Sequence, residues 1–340
     1  MSLKLKKIIE NIVIKGLFPE AAYLYDKEKK HTFKTLDFDH TIWTNSETRG
    51  EIIRNGAFAI LALSDDKVEF IDDTNGEIVS IEDFQAYDVQ LKSDFEKDFI
   101  FGYKNATYLN HTFYMDIGYF SASEDDFIIH KEQYENGRII WVSSKNILFL
   151  KSNSVEFLDY NFDKLWDLSF DSLGIENVTD CIDYQDFIFI IGEEGRILQI
   201  SRKSGEILKS FQNEVMGFYR NYFINNRGNI VFLGRNFYME ISSSDFKILK
   251  SINFADQNIL VKNCSYSEEN QCIYFFGYYG NTFPNLIGSF DLNSLSFAWT
   301  FILENKNSGN AFYKCPQNVG DYIAAIDGQN NLLIFEKGLF

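Results

Sequence analysis

Apolar runs of strand length, an aromatic content of 17% and a strand–turn–strand pattern returning about every 44 residues predict an all-β chain, a seven-bladed β-propeller. The 340 residues include 34 Phe and 19 Tyr, side chains that favour strands because they pack on a pleated, half-buried surface. Only three prolines occur, Pro19, Pro284 and Pro316, so the composition is that of a folded chain and not of a Pro-rich linker.

At the N-terminus, apolar residues at positions 5, 8, 9, 12 and 13 fit one helical face and predict a short amphipathic helix within 1–20. Glu10, Asn11 and Lys15 interrupt any apolar core of a signal peptide. No stretch reaches the ~18 apolar residues of a membrane helix, so the expectation is a cytoplasmic protein. A single propeller domain is expected over 21–340. Ala22-Tyr-Leu-Tyr25 offers one further strand, and with it an extra strand or an eighth partial unit.

The repeat then runs through copies at 68–84, 107–120, 155–170, 197–211, 237–254 and 287–301, with a truncated copy from Leu332. In each, an alternating strand leads into a turn of Asp, Asn, Ser or Gly, and a second strand ends in Phe. The 107–120 copy is the weakest. An apolar strand precedes each copy, at 57–63, 99–103, 147–150, 187–191, 230–233, 273–276 and 322–326. Hairpin turns such as Ser64-Asp65-Asp66, Glu193-Glu194-Gly195 and Asp327-Gly328-Gln329 link the two. One four-stranded sheet cannot cover both of its apolar faces, and stacking successive sheets does so. The truncated last copy lacks its final strand. Residues 31–38, His-Thr-Phe-Lys-Thr-Leu-Asp-Phe, are expected to supply it, so that the N- and C-terminal strands close the last blade together.

The segments Phe70-Ile-Asp72 with Gly76-Glu-Ile-Val79, and Ile200 with Gly205-Glu-Ile-Leu208, resemble the repeat of quinoprotein-like propellers, the PQQ-like repeat. In that family a strand ends in Asp, a turn ends in Gly, and a Trp docks at the next strand. The resemblance places Trp166 and Trp299 at the docking position in two copies, and Val79 and Leu208 in two others. WD-type repeats are matched less well, since no Trp-Asp signature occurs. The quinone-dependent enzymes of the family use a large calcium site and often a vicinal disulfide. No adjacent cysteines exist here, so the resemblance implies fold and carries over no cofactor.

Chemistry-bearing motifs are absent from the sequence, and the expectation is a non-enzymatic protein without cofactor or metal. His31, His40, His111 and His130 form no chelating pattern. No Gly-x-Ser-x-Gly elbow supports a hydrolase triad. The doublets Asp65-Asp66, Asp72-Asp73, Asp125-Asp126, Glu193-Glu194 and Glu268-Glu269 fall mostly in turns, where carboxylates cap backbone N–H groups. Asp72 to Gly76 resembles part of a calcium loop but lacks a supported Glu at loop position twelve. Cys181, Cys264, Cys272 and Cys315 form no CxxC pair and read as buried free thiols; Cys264 and Cys272 are spaced to face each other on neighbouring strands.

Charge and one loop point towards a partner. The chain carries 32 Lys and Arg against 49 Asp and Glu, a net −17, which opposes binding to nucleic acid or an anionic membrane and complements a basic protein surface. The hairpin loop between Phe276 and Leu286 is longer than its equivalents and carries Tyr278, Tyr279 and Phe283. Equivalent hairpin turns of a propeller share a face, so Asp65, Asp66, Glu193, Glu194 and Asp327 are expected to surround these aromatic anchors. The functional expectation is a monomeric protein-binding propeller. Its concrete form is an acidic immunity protein neutralising a basic toxin, and the alternative is a carbohydrate or small-ligand binder, or a propeller enzyme, using the central channel.

Overall fold

The computed structural model describes residues 3–46, 50–55, 58–64, 67–86, 99–109, 112–121, 124, 126–135, 137–142, 145–193, 195–212, 221–280, 283–303 and 311–337. These residues are organised as eight four-stranded antiparallel sheets. Seven are meanders in chain order, spanning 12–45, 51–82, 85–135, 138–169, 178–212, 222–253 and 259–302. The eighth combines Gln317–Val319, Tyr322–Ile326 and Leu332–Lys337 with Leu3–Ile9, which pairs antiparallel to Leu332–Lys337. The chain divides into two compact units, residues 1–41, 178–200 and 208–340 in one, and 42–177 and 201–207 in the other.

Three expectations are corrected. The N-terminal segment is not a helix but two strands, Leu3–Ile9 and Ile12–Phe18, separated at Asn11 in the left-handed region. Its Ile and Val residues are stiff at χ1 and suit a strand once a partner edge is present. A bulge between Leu5 and Lys7 shifts the alternation there, which makes the spacing resemble a helical face. The count of seven becomes eight, because 12–45 forms a complete sheet of its own. His31–Thr35 is the third strand of that sheet, and Leu3–Ile9 is the strand that completes the last one.

The hydrophobic core lies between successive sheets. In the strand Ile230–Gly234, Ile230 and Phe232 face Phe189, Ile191 and Ile197 of the preceding sheet. Val231 and Leu233 face Ile273, Phe275 and Phe290 of the following one. Side chains alternate across a strand, so a strand buried on both faces must be apolar at every position. The same arrangement joins the seventh sheet to the eighth through Phe276, Trp299 and Phe335, and the eighth to the first through Leu24, Phe38 and Ile334. Within the other unit, Phe70, Phe84 and Phe120 join the second sheet to the third, and Phe101, Ile117 and Phe149 join the third to the fourth. Each such fully buried side chain stabilises the fold by roughly 1.5–3 kcal/mol relative to exposure.

A wedge at the turn between the third and fourth strands locks neighbouring sheets, and it takes one of two forms. In the first, a residue in the left-handed region drives its own side chain into the preceding sheet. Phe38 packs there against Tyr322, Phe162 against Phe101, and Phe246 against Phe189 and Phe211. Leu295, also at positive φ, packs into the cluster with Tyr238 and Phe254. In the second form the turn residue is glycine and the preceding sheet supplies a tryptophan. Trp43 donates its indole N–H to the Asp73 carbonyl at 3.0 Å and lies over Gly76; Trp166 donates to the Arg202 carbonyl at 2.8 Å and lies over Gly205. A Cβ at Gly76 would stand 2.5 Å from the Trp43 ring, so the two forms exclude each other.

The docking tryptophans are therefore Trp43 and Trp166. Val79 and Leu208, assigned to that role from the sequence, are exposed on their strands. In the second sheet the position opposite Phe70 is Ser80, as Trp166 is opposite Phe157. Trp299 occupies the equivalent place in the seventh sheet, opposite Ser289. It is buried, and its indole N–H has no partner among the described residues. The following sheet has no turn between its third and fourth strands, because Leu332–Lys337 and Leu3–Ile9 are joined only by pairing. Lys6 and Lys7 reinforce that pairing: both reach Asp39, at 3.3 and 3.1 Å, and Lys6 also donates to the Tyr322 hydroxyl.

Candidate functional site

The aromatic loop sits between Cys272–Tyr279 and Leu286–Asp291 of the seventh sheet. Tyr278 and Tyr279 belong to the strand itself, paired with Leu260 and Ile259, so the loop proper begins at Gly280. Tyr279 and Phe283 are 42% and 38% exposed, and Tyr278 is half-buried. Asn285 is buried and braces the loop. Its side-chain oxygen accepts from the Tyr279 N–H at 2.9 Å, and its amide nitrogen donates to the Tyr279 carbonyl at 3.4 Å. The Pro284 carbonyl accepts from the Phe312 N–H at 2.6 Å, the Phe312–Asp327 bridge follows, and the Gly328 N–H donates to the Ala311 carbonyl. The short segment at 311–312 thus ties the aromatic loop to the hairpin turn of the eighth sheet.

Asp327 lies in that turn, and its role differs from the expectation. It is buried, and its carboxylate accepts from the Gln329 and Asn331 N–H groups and from the Asn331 side chain, each at 2.9 Å. The carboxylate organises its own turn and does not present a charge to solvent. Glu193 is half-buried in the hairpin turn of the fifth sheet, where Gly195 at positive φ closes the bend. Asp65, Asp66 and Glu194 lie outside the described residues.

Sequence reasoning missed two features. The first is the hairpin of Phe99–Leu109 and Thr112–Ser121, whose end carries exposed Tyr108, Leu109 and Phe113. Its alternation is broken by a bulge between Lys104 and Thr107, with Asn105 at positive φ, which is why this repeat copy looks weak. Strand length, 11 and 10 residues, is the signal that distinguishes it.

The second is a buried carboxylate in the sixth sheet. Glu240 is 2% exposed, and its Oε1 accepts from the side-chain amides of Asn229 and Asn225 at 2.7 and 3.0 Å. Tyr238 donates to Oε2 at 3.3 Å, and Lys250 stands 3.6 Å away. Burial alone raises the carboxyl, but the two amides, with Lys250 and Arg227, outweigh it and hold the group below the ordinary range. A carboxyl depressed in the folded state stabilises the fold above its unfolded pKa, and that contribution is lost as pH falls through the folded value. Glu240→Gln should therefore lower stability at neutral pH and flatten the acid limb of an unfolding-midpoint profile below the ordinary Glu value of 4.5. An acid limb identical to that of the unsubstituted protein would refute this role.

The cysteines and metal-ligating groups define what the chain can do chemically. All four cysteines are free, and Cys264 lies opposite Phe275, not opposite Cys272. Burial pushes the Cys315 thiol up to about 12 and the Cys264 thiol well above its usual value, so neither presents a thiolate at neutral pH. Among the described residues, no group of three or more His, Cys, Asp and Glu gathers for a metal ion. No helix among them is long and apolar enough to cross a membrane.

No family model matches the chain, and no curated protein matches it in sequence. Solved structures do match. Sqt1 of Saccharomyces cerevisiae superposes with a TM-score of 0.64 at 9% identity, over 100% of each chain. The C-terminal WD40 domain of Sif2 gives 0.68 at 8%, over 99% of each. The computationally designed Ika8 protein gives 0.56 at 8%, over 98% of this chain and 95% of its own. Sqt1 and Sif2 are WD40 propellers, so the fold is of the β-propeller kind. At this identity the likeness concerns fold alone. WD-type propellers, which the sequence motifs match less well, are among the structural neighbours.

Proposed function

We propose that the chain is a protein-binding propeller whose partner presents a basic surface, engaged by the braced aromatic loop of the seventh sheet. The observation that carries this reading is the loop itself: Tyr279 and Phe283 stay exposed while Asn285, Pro284 and Phe312 are spent on holding the backbone in place. Exposed aromatic anchors on a rigid support dominate the energetics of protein interfaces. The net charge of −17 selects a basic partner through long-range attraction. Neutralisation of a basic toxin is a narrower form of the same reading and rests on the charge alone. The paired Trp43–Gly76 and Trp166–Gly205 contacts favour a quinoprotein-like origin for the repeat.

Replacing Tyr278, Tyr279 and Phe283 together by alanine should weaken capture of the native partner by about tenfold or more. It should leave the melting temperature almost unchanged, because two of the three side chains are exposed. The comparison is affinity capture from the native host with both proteins, followed by titration of the captured partner. Equal affinity for the triple variant would sink the proposal.

A further inference from the structure

Among the described residues, the third sheet ends in a feature that the other sheets lack. Its second and third strands, Phe99–Leu109 and Thr112–Ser121, continue beyond both flanking strands. The first strand, Gln85–Ala86, covers only Gly102 and Tyr103. The fourth, Asp126–Glu135, reaches no further than Tyr114. Beyond these points, among the described residues, Tyr108–Leu109 and Thr112–Phe113 pair only with each other. Tyr108, Leu109 and Phe113 are each more than half exposed, and the Tyr108 and Phe113 rings pack in a tilted contact, centroids 4.6 Å apart and planes inclined by 48°.

An isolated two-stranded ribbon is marginally stable in water, so its base must be held. Asp116 does this: one oxygen accepts from the Asn105 side chain and the other from the Gln133 N–H, both at 2.8 Å. The carboxylate clamps the strands on either side of its own at the level where the ribbon departs. The result is an arm that is preorganised at its base and carries three exposed apolar side chains beyond it. The arm carries no cation: no Lys or Arg occurs between Asn105 and Asp116, Lys104 at its base lies over the Phe127 ring, Lys131 and Lys151 are engaged with Asp163 and Glu135 at 2.6 and 3.6 Å, and Glu132 is exposed on the fourth strand.

We infer that this arm is a second docking element, and that Tyr108, Leu109 and Phe113 enter an apolar recess bordered by Lys and Arg on a partner protein. The inference rests on the protein-binding reading above but uses a separate surface. A second copy of the chain is a poor occupant, because each copy brings a net −17. The rings of Tyr108 and Phe113 already rest on each other, so burying them costs little further entropy, which suits the pair as an anchor.

A displayed library of random sixteen-residue peptides, selected on the full chain, provides the probe. The expected winners combine apolar residues with Lys and Arg. Their binding should fall about tenfold in Tyr108→Ser/Phe113→Ser and at least severalfold between about 50 and about 300 mM salt. It should persist in the alanine variant of Tyr278, Tyr279 and Phe283, which separates this inference from the first proposal. An unchanged melting temperature confirms that the serine variant folds. The inference is overturned if no peptide depends on the arm or if the selected peptides are acidic. It is equally overturned if the arm instead mediates sedimentation as a dimer, or uptake on phosphatidylcholine vesicles, that the serine variant abolishes.

Discussion

Gly76→Ala is expected to destabilise the protein by about 3 kcal/mol, more than a glycine-to-alanine change costs at an ordinary turn. Two effects add. The backbone at Gly76 has φ +80, where a Cβ costs roughly 1–2 kcal/mol. The new methyl would also sit 2.5 Å from Cε3 and 2.6 Å from Cδ2 of Trp43, and must push aside a buried ring anchored to the Asp73 carbonyl. The Asn45 side-chain amide, which donates to the Gly76 carbonyl at 2.6 Å, would be disturbed as well. The double variant Trp43→Ala/Gly76→Ala should lose less than the two single variants summed, because the clash vanishes with the ring. Urea unfolding midpoints of the three variants test this. Strict additivity would show that the ring and the glycine are not coupled.

Removing residues 1–10 is expected to lower the melting temperature by more than about 10 °C and to promote aggregation. The strand Leu3–Ile9 supplies the partner for Leu332–Lys337. Without it, the backbone edge of a strand that carries the buried Leu332, Leu333, Ile334 and Phe335 opens to solvent. The Lys6 and Lys7 contacts to Asp39 disappear too, although exposed ion pairs of this kind contribute little. A synthetic peptide of residues 1–10 should restore part of the loss when added in excess, as expected for a strand that acts by binding an edge. Scanning calorimetry with and without the peptide gives the answer. A truncated chain that melts with the full-length protein would show that the eighth sheet is stable with three strands.

Much of this was legible in the residues. The run Ile230-Val-Phe-Leu233 is apolar at every position, which states that both faces of its strand are covered before any coordinate is known. Turns opening on Asp or Ser and closing on a residue in the left-handed region recur from sheet to sheet, with Gly76 and Gly205 readable as such. Phe162, Phe246 and Leu295 adopt the same conformation without being glycine, so their turns hide the repeat from a motif search. The strain of each is offset by the burial of its side chain against the preceding sheet, a term that sequence spacing does not reveal.

The candidate site was legible in part. The loop after Cys272–Tyr279 stands out by length and aromatic content, and the structure adds the Asn285 side chain that ties its far end to the Tyr279 backbone. Asp327 reads as a surface charge because it lies in a polar turn. Only the geometry assigns its carboxylate to the N–H groups of Gln329 and Asn331. The arm at Tyr108 and Phe113 is obscured by the bulge after Lys104, since one extra residue inverts the alternation that marks a strand.

The propeller-type repeat was thus determined by the sequence, because side-chain periodicity and turn chemistry are local. The number of sheets, the closing strand and the docking tryptophans were decided by tertiary structure. Ile8, Ile9, Ile12 and Val13 are compatible with a helical face or with two strands, and the exposed edge of Leu332–Lys337 resolves the ambiguity by pairing with Leu3–Ile9. Trp43 and Trp299 likewise look alike along the chain. One finds a glycine turn on the next sheet; the other meets a sheet whose last strand comes from the opposite end of the chain. Both outcomes depend on which partner a strand meets, and partner choice is a property of the assembled fold.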